Sequence, residues 1–132
     1  MKVALFVAVF ASAIVGGASA APHHSFAATY DPNETMQIEG RIIQFQFRNP
    51  HSFLHVEAPD EHGEVWRWAV EWGGTGQLGA QGVTGATLVP GDEVTIVGTP
   101  GRNPEDHRML MRSLRRASDN FGWGQAPDEV FD

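Results

Sequence analysis

Met36-Gln37-Ile38-Glu39-Gly40-Arg41-Ile42-Ile43-Gln44-Phe45-Gln46-Phe47 decides the fold. Met36, Ile38 and Ile42 share one parity, whereas Ile43, Phe45 and Phe47 take the other. Side chains of a strand alternate between its two faces, so a change of parity within one apolar run requires an extra residue. The switch at Ile42-Ile43, just after Gly40, predicts one long strand bent by a bulge. Asn49-Pro50 ends it, because proline lacks a donor and forces its predecessor to extend.

Working outward, Ser52 to Glu57 reads as a second strand, and Pro59-Asp60-Glu61-His62-Gly63 is hairpin-turn material. Val65 to Trp72 is a third strand whose even positions, Trp66, Trp68, Val70 and Trp72, form one heavy apolar face. Gly73 to Gly85 is rich in glycine; a short helix is expected around Gln77 to Gln81, against a glycine cost of ~1 kcal/mol per helical position. Val89-Pro90-Gly91-Asp92 is a turn, Glu93 to Thr99 a fourth strand, Pro100 to Asp106 a loop, and Arg108 to Arg116 a fifth strand. Five strands, the first long and bent, with helix confined between the third and fourth, give an all-β fold. It is a small barrel like those that bind oligonucleotides and oligosaccharides (the OB type), and a β-sandwich is the alternative.

The flanks divide the remainder. Met1-Lys2, the apolar run Val3 to Val15 and the small-x-small triplet Ala18-Ser19-Ala20 have the build of a secretory signal peptide over residues 1–20. The run is too short for a bilayer core, which needs ~20 residues. Residues 21–34 read as an N-terminal arm, 35–117 as the barrel and 118–132 as a polar, loosely held tail. The expectation is a periplasmic or secreted protein with no membrane segment after cleavage. The whole chain has nine basic and sixteen acidic residues, a formal charge of −7, and cleavage removes Lys2, its one lysine. Nucleic acid as a partner is disfavoured; Arg108, Arg112, Arg115 and Arg116 read as the solvated side of the last strand. With no cysteine, thiolate chemistry and disulfides are excluded.

His23-His24-Ser25-Phe26, Tyr30-Asp31, Asn49-Pro50-His51, Trp68-Ala69-Val70-Glu71 and Pro90-Gly91-Asp92 together resemble a family of small exported bacterial proteins, the domain of unknown function 6152. The likeness runs over most of the mature chain; the glycines of 73–85 depart from a more helical segment expected there. The resemblance implies export and a small β-rich domain, and it implies no activity.

The candidate chemistry centres on histidine. His51 and His55 sit four apart on a strand, ~13 Å, too far to share an ion. His62 lies in a turn between acids and reads as solvated. His23 and His24 on the arm, with His51 beside the proline-fixed loop as third ligand, are the candidate metal site, and three imidazoles suit copper or zinc. His107, Met109 and Met111 share one strand face and form a soft set similar to small periplasmic copper and silver chaperones, although methionines filling a barrel core is the favoured reading. Trp66, Trp68 and Trp72 are candidate ligand-binding residues for a sugar or aromatic ring, weighed against simple core packing. The leading expectation is a binding protein for a metal ion or small ligand rather than an enzyme. The alternatives are a hydrolase or lyase using the same histidines with Asp31 or Glu71 as orienter, and an accessory module docking on an exported partner through its tryptophan face.

Overall fold

A computed structural model describes residues 25–124. The expected signal peptide, His23 and His24 lie outside that range. The elements are α1 (Phe26–Thr29), β1 (Met36–Gln46), β2 (Phe53–Pro59), β3 (Val65–Glu71), α2 (Thr75–Ala80), β4 (Glu93–Pro100), a 3₁₀ turn (Pro104–Asp106), β5 (Arg108–Arg116) and β6 (Gly122–Trp123). Neighbours run β3-β2-β1-β4-β5-β6, and a β3–β5 pairing closes the first five strands into a barrel. That closing seam is parallel and short, pairing Ala69 with Arg108, Val70 with Met109 and Glu71 with Leu110. Every other pairing is antiparallel. The expected OB-type barrel is the fold observed.

The bulge falls where the parity changes. β1 pairs Ile42 with Val56 and then Gln44 with His55, leaving Ile43 as the extra residue. Before it Ile38 and Ile42 point inward; after it Phe45 does. β1 thereby serves two partners, β4 over 36–41 and β2 over 41–46. Gly40 sits at this hand-over, where an added Cβ would lie 2.0 Å from the Glu57 carbonyl oxygen. Only a residue without a side chain lets the two backbones approach so closely.

Ile38, Ile42, Leu54, Val56, Trp68, Val70, Trp72, Ile96, Met109 and Leu114 fill the barrel, and Leu78 of α2 with Val83 and Leu88 joins the same cluster. Each such side chain removed from water contributes about 1.5–3 kcal/mol. No helix among the described residues is long and apolar enough to cross a membrane.

Three local expectations differ from the structure. α2 begins at Thr75, not Gln77, because the Asn49 Oδ1, far away in sequence, accepts from Thr75 N–H at 2.9 Å and satisfies an orphan donor of its first turn. The arm contains the single turn α1 rather than unbroken loop. The tail adds a strand: β6 pairs with the end of β5, and Trp123 packs edge-on against Trp72 with ring centroids 5.0 Å apart. Arg116 makes that return possible. It forks onto Asp119 with two 2.9 Å bonds, and Nη1 reaches Asp92 at 2.9 Å and the Thr87 carbonyl at 2.7 Å. Asp119 is held below the usual carboxylate range by these hydrogen bonds from Arg116. Asp92 of the Pro90-Gly91-Asp92 turn therefore has a structural task.

Candidate functional site

The barrel seam carries a buried charge. Trp68, Val70 and Trp72 point into the core, so Glu71 points outward between β2 and β5, where it should meet water. It is nonetheless 5% exposed. The segment following α1 covers it: Asp31 N–H bonds the Pro100 carbonyl at 3.0 Å, Arg102 N–H the Thr29 carbonyl at 2.9 Å, and Arg102 Nε the Ala27 carbonyl at 2.8 Å. This strap seats Tyr30, 2% exposed, on the outer face.

Four residues then converge. Tyr30 Oη donates a short hydrogen bond to Glu71 Oε2. Arg108 Nη2 donates to the same oxygen at 2.7 Å, and Arg108 Nε donates to Tyr30 Oη at 2.7 Å. His51 Nδ1 meets Glu71 Oε1 at 2.6 Å. An ionised carboxylate only accepts, so Nδ1 carries the proton, and in the neutral ring the lone pair is on Nε2. Among the described residues His51 Nε2 has no bonding partner.

Burial and neighbours pull the carboxyl in opposite directions. Desolvation pushes Glu71 up, but the hydrogen bonds from Tyr30 and Arg108, the Arg108 charge and the bond from His51 outweigh it, and its pKa is lowered. Tyr30 is pushed far above the ordinary phenol value, first by burial and then by the adjacent Glu71 carboxylate. For Arg108 desolvation pulls down, yet Glu71 and Tyr30 hold its guanidinium above the usual value. Glu71 is thus a fixed anion and Tyr30 a fixed donor.

The loop ahead of β2 aims His51. Ser52, fully buried, accepts from Arg48 N–H and donates to the Arg48 carbonyl, both at 3.2 Å. Its backbone bonds Gly73 and Trp72 at 3.0 and 2.9 Å. The Asn49-Pro50 peptide is cis, and Gly74 packs beneath it, where a Cβ would lie 2.7 Å from the Pro50 oxygen.

These residues floor an open cleft of about 520 Å³, walled by Phe26, Phe53 and Pro50 and rimmed by Arg48. The Phe26 ring lies 5.4 Å from His51, and the Arg48 and Arg108 guanidiniums stand 5.3 and 5.6 Å from the Phe53 centroid. A larger cleft of about 700 Å³, bordered by Asp31, Glu34, Asp60, Glu61 and Trp68, opens elsewhere on the surface.

Of the candidate metal ligands, His51 reaches the cleft, while His23 and His24 lie outside the described residues. Among the described residues no three His, Cys, Asp or Glu side chains group as a metal site. The candidate tryptophans do not share one environment. Trp68 and Trp72 are 5% and 3% exposed in the core, whereas Trp66 is 37% exposed and stacks on His107 at 4.3 Å. Trp66 lies near the β2–β3 turn, where its Nε1 donates to Asp60 Oδ2 at 2.9 Å. Met109 and Met111 are core residues, and His107 caps the 3₁₀ turn at φ 43° instead of lying on the strand. His55 is half-buried on β2, and His62 is exposed beside Glu61.

Sequence reasoning missed Tyr30, Arg108, Phe26 and Phe53 as site residues. Arg108 belongs to the buried network rather than to a solvated strand side, and Glu71, expected as an orienter only in the hydrolase or lyase alternative, is its hub. A signal was present: Tyr30-Asp31, Asn49-Pro50-His51 and Trp68-Ala69-Val70-Glu71 each deliver one member. No curated protein and no solved structure matches the chain. The model of the family of unknown function DUF6152 matches residues 11–110, which span α1 through the start of β5 and hold all four residues of the network, and the chain belongs to that family.

Proposed function

We propose that this is an exported binding protein that takes a transition metal, copper or zinc, on His51 Nε2 together with His23 and His24. The observation that carries the reading is the 2.6 Å Glu71–His51 contact. A carboxylate on one imidazole nitrogen fixes the tautomer, orients the ring and raises the basicity of the other nitrogen, which is the arrangement found behind metal-ligating histidines. Phe26 against His51 adds support, because His24 stands two residues before Phe26 in the chain.

Titration calorimetry with copper(II) or zinc on the chain beginning at Ala21 tests it. One ion should bind per chain. His51→Ala should remove most of the affinity, and a chain beginning at Ser25 should behave like it. Glu71→Gln should weaken binding about 10- to 100-fold, the usual effect of losing an orienting carboxylate. His55→Ala and His62→Ala should leave it unchanged. No binding by the parent, or equal loss from His51→Ala and His55→Ala, would overturn the reading. Export is tested separately: N-terminal sequencing of periplasmic or extracellular protein should begin at Ala21 or Pro22, and intact Met1 on a membrane-bound form would refute it.

The same contact favours a second reading, a hydrolase or lyase in which Glu71 orients His51 as general base. Turnover by metal-free protein that His51→Ala abolishes would select it over the metal.

A further inference from the structure

The cleft has a charge balance opposite to that of the chain. The protein as a whole carries sixteen acids against nine bases. Among the described residues lining this opening, Glu71 is the one acid, with Arg48 and Arg108 both present. Both Glu71 oxygens are already engaged, Oε2 by Tyr30 and Arg108 and Oε1 by His51. Arg108, which lines the opening, spends Nε and Nη2 on that network and leaves Nη1 outside it. Arg48 has no carboxylate or carbonyl acceptor among the described residues; its guanidinium rests on the Phe53 ring. Since both guanidiniums lie within 5.6 Å of one ring centroid, the two are no more than about 11 Å apart. Among the described residues, and counting His51 as a neutral ring, one negative charge against two positive charges leaves one positive charge uncompensated.

The walls narrow the class of ligand. Phe53 forms one side, and Phe26, 47% exposed, stands at the mouth with no polar group to offer. A volume of about 520 Å³ lies in the range of small-molecule sites, which pair apolar walls with a few placed polar groups. Guanidinium forks match carboxylates and phosphates alike. A monoanion balances the single unspent charge, and a flat apolar body covers the phenyl walls; a bare phosphate dianion does neither.

We infer that the cleft binds a small organic carboxylate, its carboxylate bridging Arg48 and Arg108 and its planar apolar body lying between Phe26 and Phe53. This inference does not rest on the metal reading, and its test contains no metal. Purified chain in metal-free buffer is titrated by NMR and calorimetry with benzoate, benzyl alcohol and inorganic phosphate. Benzoate should saturate at one per chain and weaken as salt is added, because the attraction is partly screened. Benzyl alcohol and phosphate should each bind at least about tenfold more weakly, one lacking the charge and the other the body. Arg48→Gln should cost benzoate roughly tenfold, the worth of one charge-assisted hydrogen bond, and as a change at an exposed position it leaves the fold intact. Phe26→Ala should cost several-fold with the charges untouched. Absence of saturable benzoate binding, equal binding of benzyl alcohol, tighter binding of phosphate, or an unaffected Arg48→Gln variant would each overturn it.

Discussion

Replacing Glu71 by glutamine keeps the shape of the hub and removes its charge. In the folded protein the carboxylate accepts from Tyr30 and, at 2.7 and 2.6 Å, from Arg108 and His51. Hydrogen bonds to a charged group contribute about 1.5–3 kcal/mol each. The amide retains one acceptor oxygen, which can face Tyr30 and Arg108, and turns an NH₂ toward His51. Breaking a buried ion pair costs about 3–5 kcal/mol when the stranded charge stays dry. Here the Arg108 and His51 side chains are 36% and 39% exposed, so water reaches them and the cost falls. The expected loss for metal-free protein is about 2–3 kcal/mol, or roughly 10–20 °C in Tm for a domain of this size. Urea and thermal unfolding followed by dichroism measure it. The same carboxylate makes the loss depend on pH. Because the folded-state pKa of Glu71 lies below the ordinary value of 4.5, its contribution is complete above that pH and disappears as pH falls through the lower folded value. The gap between parent and Glu71→Gln should therefore be full at neutral pH and shrink in acid below about 4.5. A variant within about 0.5 kcal/mol of the parent at neutral pH, or a gap unchanged into strong acid, would refute the hub role.

Tyr30 is the chain's single tyrosine, so ultraviolet difference titration reports it alone. Its phenol is raised above the ordinary 10.0, so stability is intact below that pH and is lost above it, and ionisation should appear together with unfolding; a reversible midpoint near 10.0 in folded protein would contradict its burial against Glu71. Gly40→Ala should cost at least about 2 kcal/mol in urea unfolding, because its Cβ would stand 2.0 Å from the Glu57 oxygen and force β1 from β2; a neutral effect would place the strands farther apart than described. Trp72 Nε1 is buried without a hydrogen-bond partner among the described residues, whereas Trp68 Nε1 donates to the Ala58 carbonyl at 3.1 Å. Trp72→Phe should thus be milder than Trp68→Phe by about 1 kcal/mol, and the reverse order by the same unfolding assay would reject the difference in pairing.

The barrel was legible because its signals are local. The parity change at Ile42-Ile43 is a statement about neighbouring residues, and the bulge at Ile43 follows from it. The site was less legible because its signals are not local. Glu71 sits at an outward position of β3, and nothing within β3 says that Tyr30, 41 residues earlier, will cover it. Arg108 looked like one arginine of four on a strand; its task depends on the parallel register that sets it beside Ala69. The return of the tail is hidden for the same reason: Trp123 finds Trp72, and Arg116 fixes the turn between β5 and β6, through contacts visible only once the barrel closes. His51 was found because Pro50 marks its loop as rigid, a property the sequence carries on its face.

The three-pair seam between β3 and β5 has a further consequence. Its two lips each bring a residue of the same ion pair, the buried Glu71 from one and Arg108 from the other, 37 positions apart along the chain. A molecule lodged on those lips behaves as a rivet through a hoop: it grips both ends of the band and resists their parting. Opening of the hoop and departure of the guest are then a single event seen from two sides. Amide exchange at Val70 and Met109, which face each other across the join, becomes a clock for occupancy that can be read before the guest has been identified.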